Sequence, residues 1–393
     1  MAGAVTQPEY AARPGVAGGA GVTRRILSPH DQLPRAPLDG WVRRLRDALA
    51  RIPAPGAPTR GDVGRLAVCA SHAALVQVHA GRPDAARRTC LAALDSIARE
   101  ARPGREELAV HAIQPWITLG RLDGLAGRVS EALARFLAML EGGRRGTLAM
   151  AGVTVAGERL AADGTGMGEL ERLATNVAVL DGLKVLLSNG RDDAVEHYLG
   201  ACRIAPGDPL ATVAAEGRCV ALAGRGHFRE ASRVAAAAAD GAGEWNRAVL
   251  VFRAAEARLT ADAWDHAARR SLERLGEVLG DVALDRCASV SALALTARAA
   301  ALLRELGMDG AALARIALAG AGALGDEVLE MGCLEVLAES GARLDDGEPA
   351  ADCLAARRAT TRYERLRPPG TPARPFPGLD DLAAEIGEAL AGS

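Results

Sequence analysis

The stretch that most constrains the fold is residues 116–140, W-I-T-L-G-R-L-D-G-L-A-G-R-V-S-E-A-L-A-R-F-L-A-M-L. Apolar residues recur at helical spacing on both sides of Gly127 and Arg128, which reads as two helices folded back on one another at a glycine turn. Trp116, Leu119 and Gly120 form one face of the first helix, and Ala132, Phe136 and Met139 face back from the second. A small residue at Gly120 lets the second helix approach closely, opposite small Ala132, while Trp116 and Phe136 fill the wider space beside that contact.

The same spacing returns along the chain. Residues 62–80 and 84–100 are turned at G-R-P-D, where Pro83 and Asp84 suit a helix start, and Ala86, Cys90 and Ala93 repeat the spacing of Ala132, Phe136 and Met139. Residues 169–188 and 192–204 carry Gly182, Ala194, Tyr198, Ala201 and Pro206 in the equivalent places. Next come 209–224 with 228–239, carrying Ala231, and 245–261 with 264–279, where Trp264 and Ala267 mark the second helix. From Ala194 to Ala231 to Ala267 the intervals are 37 and 36 residues. On these residues the chain resembles a tetratricopeptide repeat, whose period is about 34 residues. Longer, more degenerate pairs follow at 286–306 with 309–324 and at 326–342 with 349–366. The resemblance implies an all-α fold, a right-handed superhelix of about seven helix pairs, which works by binding along its concave surface.

Around that array the organisation is as follows. Residues 1–37 are rich in Gly, Pro and Ala without helical or strand periodicity, so they are expected to be a disordered tail. A leading helix carries Leu38, Trp41, Val42, Leu45, Leu49 and Ile52 and stops at Pro53. The repeat domain then spans 38–366, with Pro115 either starting the Trp116 helix or kinking a longer one that begins near Glu106. Residues 367–393 are expected to be a stiff linker and a capping helix, whose Leu379, Leu382, Ile386 and Leu390 would cover the last repeat's apolar edge. One irregularity interrupts the repeat: Ala132 and Ala194 are 62 residues apart. The excess falls in an insertion at 141–168, where T-L-A-M-A-G-V-T-V-A-G reads as a short hairpin and D-G-T-G-M-G as a glycine-rich loop.

The segments C-L-E-V-L-A-E-S-G-A-R-L at 333–344 and A-A-D-C-L-A-A-R-R-A-T-T-R-Y-E-R-L-R at 350–367 resemble the end of the helical array in large bacterial LuxR-type ATPase regulators. In that family the array receives signals or partners. The phosphate-binding G-x-x-x-x-G-K-[ST] and the DNA-binding helix-turn-helix that accompany it there are not found in this sequence.

Composition narrows the function classes. With 47 Lys+Arg against 49 Asp+Glu, the formal charge of −2 supplies no basic field, so no direct nucleic-acid binding is expected. Seven scattered cysteines without C-x-x-C read as buried thiols in a reducing compartment, and with no signal-like or membrane-spanning segment the chain is expected to be cytoplasmic. The abundance of Ala, Leu and Arg favours helices and also fits a GC-rich bacterial genome.

Each chemical motif has a plainer reading. Gly164, Gly166 and Gly168 precede a helix and could cradle a phosphate, but nothing nearby supplies the strand and sheet of a dinucleotide fold, so no cofactor is assigned. Asp192, Asp193 and Glu196 spell D-D-A-V-E, similar to the metal-diphosphate motif of terpene synthases. That family's second motif is missing, aromatic content is only 3%, and acidic residues in a first helical turn are favoured by the helix dipole. Cys69, His72 and His79 share a stripe, but His72 and His79, seven positions apart, lie about 10 Å from each other along a helix axis, too far to share one zinc ion without another element between them. No H-E-x-x-H, G-x-S-x-G or S-x-x-K occurs, and the chain is expected not to be an enzyme.

Repeat geometry selects the binding residues. With Trp116 buried, positions two before it and one or five after it point into the inner groove, which selects Gln114 and Arg121. Equivalent positions in later pairs are Asn176, Glu216 and Glu256, among apolar Val179, Leu183, Val220 and Phe252. Such a groove suits an extended or helical protein or peptide segment, or a small signal molecule. The competing expectation is a small-molecule-binding accessory protein or enzyme of a biosynthetic pathway, with 141–168 as a lid.

Overall fold

The computed structural model describes residues 27, 37–52, 60–101, 106–156, 167–205, 207–261, 266, 270–271, 274, 290–305, 309–361 and 377–392. These residues are predominantly helical. In chain order the helices are α1 (Leu38–Leu49), α2 (Arg60–His79), α3 (Pro83–Glu100), α4 (Ile113–Leu125) and α5 (Val129–Arg144). After a hairpin of β1 (Thr147–Met150) and β2 (Val153–Ala156) come α6 (Met167–Ser188), α7 (Val195–Cys202), α8 (Leu210–Gly224), α9 (Phe228–Ala239) and α10 (Glu244–Ala261). The remainder are α11 (Val290–Glu305), α12 (Ala311–Leu324), α13 (Glu327–Glu339), α14 (Ala350–Thr360) and α15 (Pro377–Gly392). A tight 3-10 turn at Glu106–Ala112 leads into α4, whose first turn holds Pro115, where the missing N–H costs nothing. Trp264 and Ala267, which mark the second helix of the next pair, lie outside the described residues; within 264–279 only 266, 270–271 and 274 are described, all helical.

One backbone turn is used repeatedly. After α2, α4, α6 and α8 the chain passes through Gly81, Gly127, Gly190 and Gly226 at φ +79°, +75°, +69° and +82°, a left-handed conformation that costs glycine no Cβ clash. The next residue's N–H reaches back over the helix end: Arg82 to the Gln77 carbonyl at 2.8 Å, and Arg128, Arg191 and His227 to those of Asp123, Leu186 and Leu222 at 2.9 Å each. This double-bonded helix stop satisfies carbonyls that would otherwise be orphaned and sets the angle at which the following helix returns. Gly325 and Gly341 close α12 and α13 the same way.

The returning helices bury small residues at their start, and Ala86, Ala132 and Ala231 are fully enclosed. A Cβ on Gly120 would lie 2.5 Å from Phe136 Cε1, and one on Gly182 would lie 2.1 Å from the Tyr198 hydroxyl. The close approach is therefore glycine against an aromatic ring, not Gly120 against Ala132. Trp116 also departs from expectation, being half-buried at the edge of the core with the Arg135 guanidinium 4.0 Å over its ring. Phe136 already fills the space beside Gly120, so the indole is displaced outward.

From α1 to α14 each helix contacts the next one and, between α2, α4, α6, α8 and α10, the next but one. The main apolar cluster runs from α2 to α8, and a second one, around Trp245, Val249 and Phe252, joins α8–α10 to α11. The insertion forms an antiparallel hairpin, Thr147 opposite Ala156, that buries Leu148, Met150, Val153 and Val155 in the main cluster. Residues 157–166, which hold two of the three loop glycines, lie outside the described residues.

The C-terminal helix packs chiefly on the first three helices rather than on the last pair, where the sequence suggests it. Its Leu379, Leu382, Ile386 and Leu390 join Leu38, Val42, Leu45, Leu66, Ala70 and Ala73 near the beginning of the chain, with Val328 of α13 in the same cluster. Arg46 Nε donates to Glu385 Oε1 at 3.1 Å, and Arg99 Nη2 donates to the Leu390 carbonyl at 2.9 Å. The apolar stripe on α1 and α2 needed a partner as much as the last helices did, and a hydrophobic stripe on a terminal helix does not say which end it will cover.

Candidate functional site

Five polar positions were selected from the sequence, and the structure divides them. Gln114, on the first turn of α4, is half-buried, and its carbonyl accepts from Thr118 Oγ1 at 3.0 Å. Asn176 is half-buried on α6. Arg121 forks onto Asp181, Nε to Oδ1 at 3.0 Å and Nη2 to Oδ2 at 2.9 Å, so it clamps α4 to α6 with its side chain 37% exposed.

Glu216 and Glu256 are the exceptions: both are fully enclosed rather than lining an open surface. The cause is Arg253 of α10, itself fully buried, which stands between the two carboxylates. Its Nε and Nη2 donate to Glu216 Oε1 at 3.1 and 3.0 Å, and its Nη1 donates to Glu256 Oε2 at 2.7 Å. Arg298 of α11 reaches Glu256 Oε1 at 3.3 Å through Nη2. Burial works against the Arg253 charge, but the carboxylates of Glu256 and Glu216 outweigh it and raise its pKa above that of an ordinary arginine. The cluster joins α8, α10 and α11 by charge-assisted bonds across three successive layers of the array.

A further group reaches this cluster from outside the helices. The main-chain N–H of Leu27 donates to Glu216 Oε1 at 2.7 Å, and the Leu27 side chain, 6% exposed, packs into the apolar cluster that holds Ala215, Cys219, Val249 and Phe252. The expectation of disorder over 1–37 therefore fails at Leu27, because α8 and α10 offer both an acceptor for its N–H and an apolar pocket for its side chain. The neighbouring Cys219 thiol, pushed up to about 12 by burial, is protonated and unsuited to nucleophilic chemistry.

Sequence reasoning missed Arg253, Arg298 and Leu27. Arg253 had a signal: it interrupts V-L-V-F-R-A-A-E-A, where a charge in an apolar run requires a buried partner. Leu27 had a weaker one, since Ile26 and Leu27 are the only adjacent bulky aliphatic pair in the first 37 residues.

The remaining motifs are spent on local contacts. Asp192 is buried in the short turn before α7, Asp193 lies 3.7 Å from Arg191, and Glu196 accepts from Arg218 Nε at 3.0 Å, so the three carboxylates do not converge. His72 meets Trp41 edge to face at 5.8 Å, and burial lowers its pKa. Among the described residues the six cysteines are free thiols, five of them buried, and no group of three or more His, Cys, Asp or Glu could hold a metal ion. Among the same residues no helix is long and apolar enough to cross a membrane. No family model matches the chain, and neither the curated proteins nor the solved structures contain a significant match to it.

Proposed function

We propose that the chain is a non-catalytic, tetratricopeptide-like scaffold or sensor module, regulatory in role, whose helix pairs form a right-handed superhelix that holds a protein or peptide segment along its first helices. The recurring glycine turn and the contacts between alternate helices support the repeat reading. The observation that carries the binding reading is the hydrogen bond from the Leu27 main chain to Glu216. Glu216, selected as groove-lining from repeat geometry alone, accepts a main-chain N–H from Leu27, a residue that belongs to none of the helices. Main-chain donors satisfied by side chains of a fixed helical surface are what an extended bound segment requires.

The hairpin supports a fixed element more than a lid, since it anchors four apolar side chains in the main core. A partner is therefore sought on the first-helix face. Affinity pulldown from the native host, read by mass spectrometry for proteins and small molecules, identifies it. Asn176→Ala is expected to weaken that partner while leaving the thermal midpoint within a few degrees of wild type. Wild-type affinity in this variant, with loss of binding when 141–168 is shortened, would replace the groove reading with the lid reading.

A further inference from the structure

The cluster that seats the C-terminal helix also joins the two ends of the array. Leu379, Leu382, Ile386 and Leu390 share one face of α15 and pack chiefly on α1, α2 and α3. Val328, 3% exposed on the first turn of α13, belongs to the same cluster. The other buried apolar residues of α13 behave differently: Leu329, Cys333, Val336 and Leu337 pack among residues of α11, α12 and α14. Burial raises the pKa of Glu327, next to Val328, and among the charges that act on it is the Asp39 carboxylate of α1, which places the starts of α1 and α13 near one another. Helices from opposite ends of the array therefore meet at the cluster that α15 completes.

Within that cluster α15 is weakly held. Its outer face, with Asp381, Ala384, Glu385, Gly387 and Glu388, is exposed. Its ion pairs, Arg46 to Glu385 at 3.1 Å and to Asp381 at 3.4 Å, join side chains that are 37–70% exposed, and water competes for both. Gly387 lies inside the helix, where a Cβ would meet nothing within 4 Å, so this glycine permits no close approach and only lowers helix propensity. A helix of 16 residues is marginal in water by itself, so α15 depends on its seat for its shape.

We propose that α15 is a detachable strap: seated on α1–α3 it holds the first turn of α13 against the start of the array, and on release it melts and lets the two ends part. The inference goes beyond the proposed function and stands whether or not the first helices bind a segment.

Hydrogen exchange on the full-length chain tests it, with a synthetic peptide of residues 377–392 giving the rate for the unseated helix. Gly387→Ala strengthens the helix without touching a neighbour. It is expected to slow the α15 amides about fivefold and those at the start of α13, Leu329–Gly332, by a similar factor, while α4 and α5 stay unchanged. Leu382→Asp removes an anchor from the seat. It is expected to bring the α15 amides to the peptide rate and to speed those of Leu329–Gly332 roughly tenfold, with α4 and α5 again unchanged. Amides of α13 that keep their wild-type rates while those of α15 change would overturn the proposal, since α15 would then only cap α1–α3. Wild-type α15 amides as slow as those of α5 would overturn it too, because the helix would then leave only when the whole chain unfolds. Should Leu382→Asp prevent folding, Gly387→Ala decides alone, since it adds stability.

Discussion

Two buried charge clusters sit in the same array and do different work. At the end of α4, Asp123 is 1% exposed and gathers three arginines: Arg87 of α3 on Oδ1, Arg128 of the turn on Oδ1 at 2.9 and 3.0 Å, and Arg135 of α5 on Oδ2 at 3.0 Å. In the second cluster the signs are reversed, with one arginine between two glutamates. Arg87 and Arg128 keep 38% and 43% of their side chains in solvent, whereas Arg253 keeps none. The first cluster ties a helix turn to its neighbours, and two of its three cations remain partly hydrated at the rim. The second is sealed, joins three layers, and accepts a bond from a segment outside the helices. A buried charge whose partners all belong to the packed helices and their turns is a fastening, whereas one that also receives a main-chain group from outside the helices is a candidate for recognition.

The largest expected effect falls on the sealed cluster. Arg253→Met removes the cation that Glu216 and Glu256 share and leaves two enclosed carboxylates without it, which is expected to cost about 3–5 kcal/mol in urea unfolding. A loss below about 1 kcal/mol would mean that water reaches both glutamates, and the contrast between the clusters would vanish. Replacing Glu216, Arg253 and Glu256 together with Gln, Met and Gln should recover part of that loss, since the buried charges leave together.

Next in size is the glycine–aromatic contact, which shows what the sequence did reveal. Gly182→Ala drives a Cβ against the Tyr198 ring, whose hydroxyl donates to the Ala178 carbonyl at 2.7 Å. Overpacking there is expected to cost about 1–3 kcal/mol, and an unchanged urea midpoint would mean that the two helices can part without loss. The repeat spacing made Gly120, Gly182, Ala132 and Tyr198 legible as core, because local periodicity and turn chemistry dictate them. The spacing misled on Trp116, since which of two nearby aromatic rings fills a given gap depends on side-chain volumes in three dimensions. It misled again on Glu216 and Glu256, because whether a polar position on a helix faces water depends on a residue such as Arg253 in the next layer. The site's occupant, Leu27, lies 189 residues from its acceptor, a separation that no periodicity encodes.

Acid titration separates the clusters by a different route. Burial raises the Asp123 pKa, but hydrogen bonds from Arg128, Arg135 and Arg87 outweigh it and hold the carboxyl below its ordinary value. The unfolded chain therefore takes up this proton first, at a pH near 4. The stabilisation is fully present above that pH and is lost as pH falls through the lower folded value. Asp123→Asn is expected to be less stable than wild type at pH 7, with the gap narrowing only below about pH 4. A gap that stays constant down to pH 2 would mean that the arginines do not favour the ionised form.

The smallest expected effect is at the rim of the first cluster. Arg128→Ala removes two of the bonds to Asp123 but leaves Arg87 and Arg135 in place, and the lost side chain was already partly hydrated. A half-exposed ion pair contributes about 0–1 kcal/mol, so the urea midpoint should move little, and less in high salt than in low. The turn itself survives the change, because the bond that closes it is made by the Arg128 main-chain N–H to the Asp123 carbonyl at 2.9 Å, which alanine keeps. A loss of about 3 kcal/mol or more would place Arg128 alongside Arg253 as a member of a sealed cluster, and local partnership alone could then no longer distinguish a fastening from a recognition site.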